Sequence, residues 1–148
     1  MSEASAYSSD VAFTPTVKAI QERKGSRRAY GRMEQNGGWQ TRITPDLAGF
    51  IAAQISVFLA TANAQGQPYI QHRGGPPGFL RVLDQRTLAL ADFRGNRQYI
   101  SLGNLTASGR ASLILMDYPN RARLKLYVRI EAKDLGAGSA LAEKLRLP

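Results

Sequence analysis

The sequence predicts a mainly β domain, a small antiparallel barrel with α-helical decoration, and three observations support this class. Short apolar segments suited to β-strands recur at residues 57–62, 79–83, 87–91 and 111–117. Turn-forming residues separate them, as at 63–66 and 119–120. Residues 121–130 then alternate between polar and apolar side chains, as a strand with one buried face does. Many short strands joined by hairpins are typical of a barrel.

Capping patterns predict the helices. Thr14 and Pro15 begin one that Gly25 ends, and Thr44 and Pro45 begin another. The second helix is expected to align its apolar residues on one face, and these are Leu47, Phe50, Ile51 and Ile55. A third helix is expected from an N-cap at Asn96 to about residue 105, and a short one at 139–147. The basic residues 26–32 suit a solvated turn, and a flexible arm at 1–12 precedes a single domain at 13–148.

Two of the predicted strands form a hairpin. Residues 57–62 are nearly all apolar and are expected to be buried on both faces. Residues 68–73 form the return strand, on which Tyr69, Gln71 and Arg73 alternate with Ile70 and His72. The two faces of the return strand therefore differ in polarity.

Composition limits the chemistry. The 148 residues suffice for one domain, and 20 basic against 11 acidic residues give a net charge of +9. This charge favours an anionic partner, which nucleic acid, a phosphorylated cofactor or an acidic membrane surface could each supply. Without cysteine and with His72 as the single histidine, neither a disulfide nor a thiolate or multi-histidine metal site is expected. Any redox role must come from a bound cofactor, and with neither a spanning segment nor a signal peptide evident, a cytoplasmic location is expected.

The strongest candidate for an anion site is the junction at residues 87–104, where a short strand ends in a polar turn and a helix follows. A helix N-terminus offers unpaired N–H groups and a partial positive charge, and arginines beside it would add to the attraction. An ordinary capped turn with solvated arginines explains the same pattern. The polar turn contains Asp92, Phe93, Arg94, Asn96, Arg97 and Gln98.

Two other segments allow a functional and a structural interpretation. The loop Gly74-Gly75-Pro76-Pro77-Gly78 permits close backbone approach to a flat ligand, or is a plain connection between strands. The alternation at 121–130 places a basic stripe on one side of a strand, which either blunts a sheet edge or lines an anionic-ligand site. The stripe consists of Arg121, Arg123, Lys125, Tyr127 and Arg129.

Three strings in this order, HRGGPPGF at 72–79, ADFRGNRQY at 91–99 and LMDYPNR at 115–121, closely resemble the pyridoxamine 5'-phosphate oxidase-related, FMN-binding split-barrel family. The resemblance covers about residues 9–130. It implies a homodimer of six-stranded antiparallel split barrels with FMN at the subunit interface, and an oxidoreductase whose substrate is unassigned. Neither a metal nor a membrane partner is implied.

The resemblance also implies which residues bind FMN. Arg97 would hold the phosphate, while Gln98 stands where the parent oxidases have a second cation, and Arg81 falls near another of their cations. The strand from Gln71 to Arg73 and the glycine–proline loop at 74–78 that follows it would face the flavin ring, to which backbone N–H groups could donate. Arg123 and Lys125 would reach the partner's FMN. No catalytic residue is implied, although His72 is a candidate for substrate contact. The complete cofactor set is Gln71, His72, Arg73, Gly74, Gly75, Phe79, Asp92, Phe93, Asn96, Arg97, Gln98, Arg123 and Lys125.

One departure from the family argues against the pyridoxamine phosphate reaction itself. The tail from Ala132 does not match the family pattern, and no histidine follows His72, whereas the true oxidases need C-terminal arginine and histidine residues. Three alternatives stay open: a split barrel that binds haem, one that binds a deazaflavin, and a basic barrel that binds nucleic acid through the stripe, Phe93 and Tyr118.

Overall fold

A computed structural model describes residues 6–91, 98–136 and 138–146. The chain separates into two compact units, Met1–Ile43 and Thr44–Pro148. The division expected from the sequence, an arm at 1–12 before one domain at 13–148, stays a prediction. Within the described ranges, no helix is both long and apolar enough to cross a membrane.

The first unit contains a 3₁₀ helix at Ser8–Val11, α1 at Pro15–Lys24 and α2 at Arg27–Gln35. As predicted, α1 begins after Thr14, whose Oγ1 accepts a hydrogen bond from the Val17 N–H at 3.3 Å, and ends at Gly25 with φ 81°. The expected turn at 26–32 is wrong, because most of it lies in α2. A salt bridge joins Arg27 in the first turn of α2 to Glu34 in the last, and loss of Arg27 would leave the buried Glu34 carboxylate without this opposite charge.

The interior of this unit is polar. Ser9, Gln21 and Glu34 are buried, and Glu34 accepts hydrogen bonds from Arg27 and from the Ser9 hydroxyl. Lys18 bridges to Asp10 at 2.7 Å. These contacts join the 3₁₀ helix, α1 and α2. The positive charges of Lys18 and Arg27 balance the negative charges of Asp10 and Glu34, so the network has no net charge.

The second unit is mainly β, which confirms the predicted class. Six strands are found among the described residues, in two antiparallel sheets of order β2-β1-β5-β6 and β3-β4. Closure of these sheets into a barrel stays a prediction. The elements are α3 Pro45–Ala52, β1 Ser56–Ala62, β2 Pro68–Gly74, β3 Leu80–Asp84, β4 Thr87–Leu90, α4 Ile100–Ala107, β5 Arg110–Asp117, β6 Ala122–Arg129 and α5 Ala140–Lys144.

The four-stranded sheet has one buried face and one face that is more exposed. Burial alternates along β1, where Val57, Leu59 and Thr61 are buried and the residues between them are only partly covered. The expectation that β1 is buried on both faces is therefore wrong. The opposite side of the sheet, called the open face below, consists of Ser56, Phe58, Ala60, Ala62, Pro68, Ile70, His72, Gly74, Arg110, Ser112, Ile114, Met116, Arg123, Lys125, Tyr127 and Arg129.

Two helix boundaries differ from expectation. Ile55 lies beyond the end of α3 and is 63% exposed, so it does not share the packed face of Ile51. The helix predicted from Asn96 begins at Ile100, because Tyr99 adopts a left-handed conformation with φ 55° and Gln98 is not helical. Asn96 itself lies outside the described residues.

Candidate ligand-binding face

The half of the open face on β1, β2 and β5 is apolar. Phe58 pairs with His72 on β2 and with Ile114 on β5, and the His72 and Phe58 rings lie 5.2 Å apart. Ile70 is 68% exposed, which is unusual for a large aliphatic side chain in a sheet. A shallow groove of about 220 Å³ runs across this half to β6 and is lined in part by Phe58, Ala60, Ile70, Ile114, Lys125 and Tyr127.

The half of the open face at the β6 edge is cationic. Register pairs Met116 with Arg123, Ile114 with Lys125, and Arg110 with Arg129. All four cations are exposed, and no hydrogen bond or ion pair from any of their charged side chains to another described residue is found. The predicted alternation of β6 is confirmed, with Arg123, Lys125, Tyr127 and Arg129 on the exposed side. The groove therefore joins an apolar floor to a row of cations.

The structure separates residues that the sequence grouped as one ring-binding segment. His72 lies on the open face, whereas Gln71 and Arg73 lie on the buried face. There the Gln71 side-chain oxygen accepts hydrogen bonds from the Ser101 hydroxyl at 2.7 Å and from Arg73 at 3.1 Å. Gln71 thus holds α4 against the sheet, an arrangement that strand alternation alone does not reveal.

The glycine-rich loop folds back onto α3. The N–H of Gly75 donates to the Ile55 carbonyl at 3.0 Å, and that of Gly78 donates to the Ala52 carbonyl at 2.8 Å. The expectation that these two N–H groups are available to a flavin is therefore wrong. Phe79, also assigned to the cofactor set, is only 3% exposed and belongs to the core. Gly74 ends β2 on the open face beside His72, where a Cβ would lie 3.3 Å from the His72 ring.

The expected anion turn is only partly described. Asp92, Phe93, Arg94, Asn96 and Arg97 lie outside the described residues, and Gln98 is exposed at their C-terminal side.

Arg81 offers a cation on the strand that pairs with the one leading into this turn. It lies on β3 opposite Ala89 of β4, and one of its Nη atoms donates to the Arg146 carbonyl at 3.1 Å. Its Nε is buried and has no hydrogen-bond partner in the described structure. A buried guanidinium N–H without a partner is costly, and an anion would satisfy it. The sequence signal for Arg81 is a single charge inside the apolar segment 79–83.

The described part of the chain offers few groups for metal binding or acid–base chemistry. Among the described residues, no group of three or more His, Cys, Asp and Glu side chains is placed to hold a metal ion. The pKa of Asp84 is lowered because its carboxylate accepts hydrogen bonds from the Arg86 N–H and the Thr87 hydroxyl. That carboxylate shapes the β3–β4 turn, and its role is local.

Comparison with known proteins identifies the family of this chain. Residues 43–134 match the family model described as pyridoxamine 5'-phosphate oxidase, and this range is more than half of the chain. The chain therefore belongs to the pyridoxamine 5'-phosphate oxidase family, which confirms the resemblance seen in the sequence.

One solved structure agrees with this fold. The chain is similar to a point-substituted, tagged form of HupZ from Group A Streptococcus, with 23% identity and a TM-score of 0.50, covering 64% of this chain and 74% of that one. A second tagged HupZ structure from the same organism has 24% identity and a TM-score of 0.49, covering 64% and 70%. A search of functionally curated proteins found no match. At such identities the first likeness supports the fold alone.

Proposed function

We propose that this protein binds FMN and is an oxidoreductase of unassigned substrate within its family. The observation that carries the proposal is the open face, on which an apolar floor meets four exposed cations. FMN has the same division, because its ring system is flat and largely apolar, whereas its phosphate carries a charge of about −1.5 to −2 at pH 7.

The residues present fit such a ligand. Phe58, Ile70 and Ile114 offer an apolar surface for the flavin ring, and Arg123 and Lys125 offer charge-assisted hydrogen bonds to an anion. Arg81 adds a guanidinium N–H without a partner in the described chain, on the strand that pairs with β4. Gln98 and Arg97, which follow β4, remain the proposed phosphate side of the site.

The size of the groove favours a second subunit. Pockets that enclose a drug-sized ligand usually measure about 300–1,000 Å³. The groove measures about 220 Å³ and lies open on a sheet face. A homodimer with FMN between the subunits would supply the missing wall, as the family resemblance implies.

Bound FMN would supply the redox chemistry of its ring, and this chain would supply binding, orientation and charge. His72 remains the proposed substrate contact, and its exposure on the open face beside Phe58 supports this role. No general acid or base is assigned.

Spectroscopy of the purified protein tests the proposal. FMN added to the FMN-free protein should bind and give a protein-associated flavin band near ~450 nm after unbound ligand is removed. Riboflavin is the matched ligand without a phosphate, and it should bind more weakly. A protein that retains neither flavin contradicts the proposal.

Substitution of Arg97 tests the phosphate assignment. Arg97→Ala should weaken FMN binding by about 1.5–3 kcal/mol and leave riboflavin binding unchanged, because only FMN has the phosphate that the guanidinium would pair with. The measurement is titration by quenching of flavin fluorescence. Arg86→Ala is the control, since Arg86 is exposed in the β3–β4 turn. An unchanged FMN affinity in Arg97→Ala would move the phosphate elsewhere, with Arg81→Ala as the next variant.

One observation supports haem as a second candidate. His72 is exposed at the edge of the apolar half of the open face, where its imidazole would be available to bind the iron of a haem. The same spectra decide between the two ligands, because haem would give a Soret band that His72→Ala should shift or abolish. A flavin band with no change on adding haem would exclude this candidate.

A further inference from the structure

The basic residues of the first unit fall into two groups once α2 replaces the expected turn. One group is paired: Arg27 with the buried Glu34, and Lys18 with Asp10 at 2.7 Å. The other group is exposed, and no hydrogen bond or ion pair from its charged side chains to a described residue is found. This second group, called the helix-pair cations below, consists of Arg23, Lys24, Arg28 and Arg32.

Two of the helix-pair cations occupy positions that a helix disfavours. Arg28 lies in the first turn of α2, at the positive end of the helix dipole, and that turn contains no acidic residue. Arg32 follows four residues later on the same side of α2, and like charges at this spacing destabilise a helix. Arg23 and Lys24, in contrast, lie in the last turn of α1, where the dipole favours cations. Local departures of this kind, without an internal compensation, are typical of functional surfaces.

Carboxylates of the two helices do not balance these charges. The acidic residues of α1 and α2 are Glu22 and Glu34, and Glu34 is buried and paired with Arg27. Glu22 is exposed, and it forms no ion pair with a described residue. Gly25 and Ser26, which join the helices, add no charge. The outer surface around this connection is therefore cationic and attracts an anionic partner.

Nucleic acid fits this surface better than a membrane or an acidic protein does. A helix that lies on a membrane buries an apolar face among the lipids, and the centre of a protein interface is largely apolar. The large apolar side chains exposed on α1 and α2 are Ile20, at 42%, and Tyr30, at 41%, and the Tyr30 ring already packs against Phe13. Phosphate backbones need no apolar contact, because cations bind them by charge and by release of counterions.

We propose that the helix-pair cations bind the phosphate backbone of nucleic acid without reading its sequence. Arginine and lysine contacts to phosphates orient a protein on a nucleic acid but carry no sequence information directly. This activity belongs to the first unit and does not depend on FMN binding by the second.

Fluorescence anisotropy of the full chain with a short labelled DNA duplex of mixed sequence tests the proposal. Titrations at several salt concentrations give the affinity and its dependence on salt. Each neutralised phosphate contributes about −0.9 to the slope of log affinity against log salt concentration, so two to four contacts should give a slope of about −2 to −4. A duplex of unrelated sequence should bind equally well. Absence of binding at low salt would overturn the proposal.

Substitutions in α2 locate the contact. Arg28→Gln/Arg32→Gln should lower the affinity at low salt by about tenfold or more and make the slope shallower by about 2, because two phosphate contacts are lost. Arg28→Lys/Arg32→Lys keeps both charges and should keep most of the affinity, since lysine also binds phosphates. Arg86→Gln/Lys144→Gln removes two exposed charges from the second unit and is the matched control, which should bind as the wild type does. Circular dichroism checks that each variant is folded.

Three results would contradict the assignment. If the control loses as much affinity as Arg28→Gln/Arg32→Gln, total charge explains the binding and the proposal is overturned. It is also overturned if Arg123→Gln/Lys125→Gln, on the open face, loses the duplex while the α2 variant retains it. Vesicles of phosphatidylserine and phosphatidylcholine provide the third comparison. A wild-type protein that binds these vesicles but not the duplex would assign the helix-pair cations to a membrane surface instead.

Discussion

Gly75 allows close packing against Phe79, a role that its neighbours in the sequence do not reveal. A Cβ built on it would lie 2.6 Å from both Cβ and Cγ of Phe79, a residue of the core. Gly75→Ala should therefore destabilise the protein by about 1–3 kcal/mol through overpacking. Urea denaturation followed by circular dichroism measures the change.

Gly49→Ala is the control for that substitution. Gly49 lies within α3, and a Cβ there would meet nothing within 4 Å. Alanine at this position should stabilise the protein by about 0.5–1 kcal/mol, because it lowers the entropic cost of forming the helix. Equal effects at the two glycines would show that packing against Phe79 is not what requires Gly75.

Asp10 gives the first unit a dependence on pH. Its hydrogen bond from Lys18, together with those from the N–H groups of Tyr7 and Ala6, holds its pKa below the ordinary value of 3.8. A carboxyl whose folded pKa is lowered stabilises the fold above its unfolded pKa, and this contribution is lost as the pH falls through the folded value. Thermal unfolding of the wild type should therefore lose more stability on acidification below 3.8 than unfolding of Asp10→Asn. Parallel acid profiles for the two proteins would contradict this role.

Helix α4 is attached to the four-stranded sheet by polar contacts. Its buried residues are Ser101 and Asn104, and the Asn104 side-chain N–H donates to the Thr61 hydroxyl at 3.0 Å. Asn104→Leu should cost about 1–3 kcal/mol, because it leaves the buried Thr61 hydroxyl without this donor. Adding Thr61→Val should recover most of the loss, since both partners are then apolar. Chemical denaturation of the two single variants and the double variant gives the coupling energy.

Thr106→Val provides the control within the same helix. Thr106 is exposed, and its hydroxyl bonds only to the Leu102 carbonyl among the described partners. Its replacement should change the stability by no more than about 0.5 kcal/mol. A double variant at positions 61 and 104 that is less stable than both singles would show that α4 depends on more than this pair.

Local signals predicted the elements whose ends are set by their own residues. The threonine caps and Gly25 define α1 and the start of α3, and the turn at 63–66 joins β1 to β2 as expected. The same reasoning failed for α2, which contains Gly31 and in which Arg27 and Glu34 form an ion pair. A basic segment with an interior glycine carries the same local signal as a solvated turn.

The division of the chain into two units predicts that the second unit folds without the first. Every strand pairing in the described chain and the whole family match but one residue lie within Thr44–Pro148. A fragment of residues 44–148 should therefore fold on its own and unfold cooperatively with the β-type circular dichroism of the sheet. Urea titration of the fragment beside the full chain is the measurement. A fragment without a cooperative transition would show that the sheet needs the first unit.

The class of fold, the family and the alternation that exposes the cations of β6 follow from the amino-acid sequence alone. These features depend on residue order, on strand periodicity and on the residues of the turns, all of which are local. The family strings also placed Gly75, Phe79 and Gln71 together in one cofactor set, because alternation along a strand separates its two faces but does not tell which of them is buried.

Where those residues point depends on long-range packing. Packing places Phe79 in the core with Gly75 against it, directs Gln71 towards α4 and leaves His72 on the open face. Packing also pairs β1 with β5 and so brings the hairpin of β1 and β2 into one sheet with β5 and β6, although the two pairs of strands are distant along the chain. The position of the apolar floor beside the cations therefore arises from a long-range pairing of strands, which hydrogen bonding across the sheet establishes and no single segment encodes.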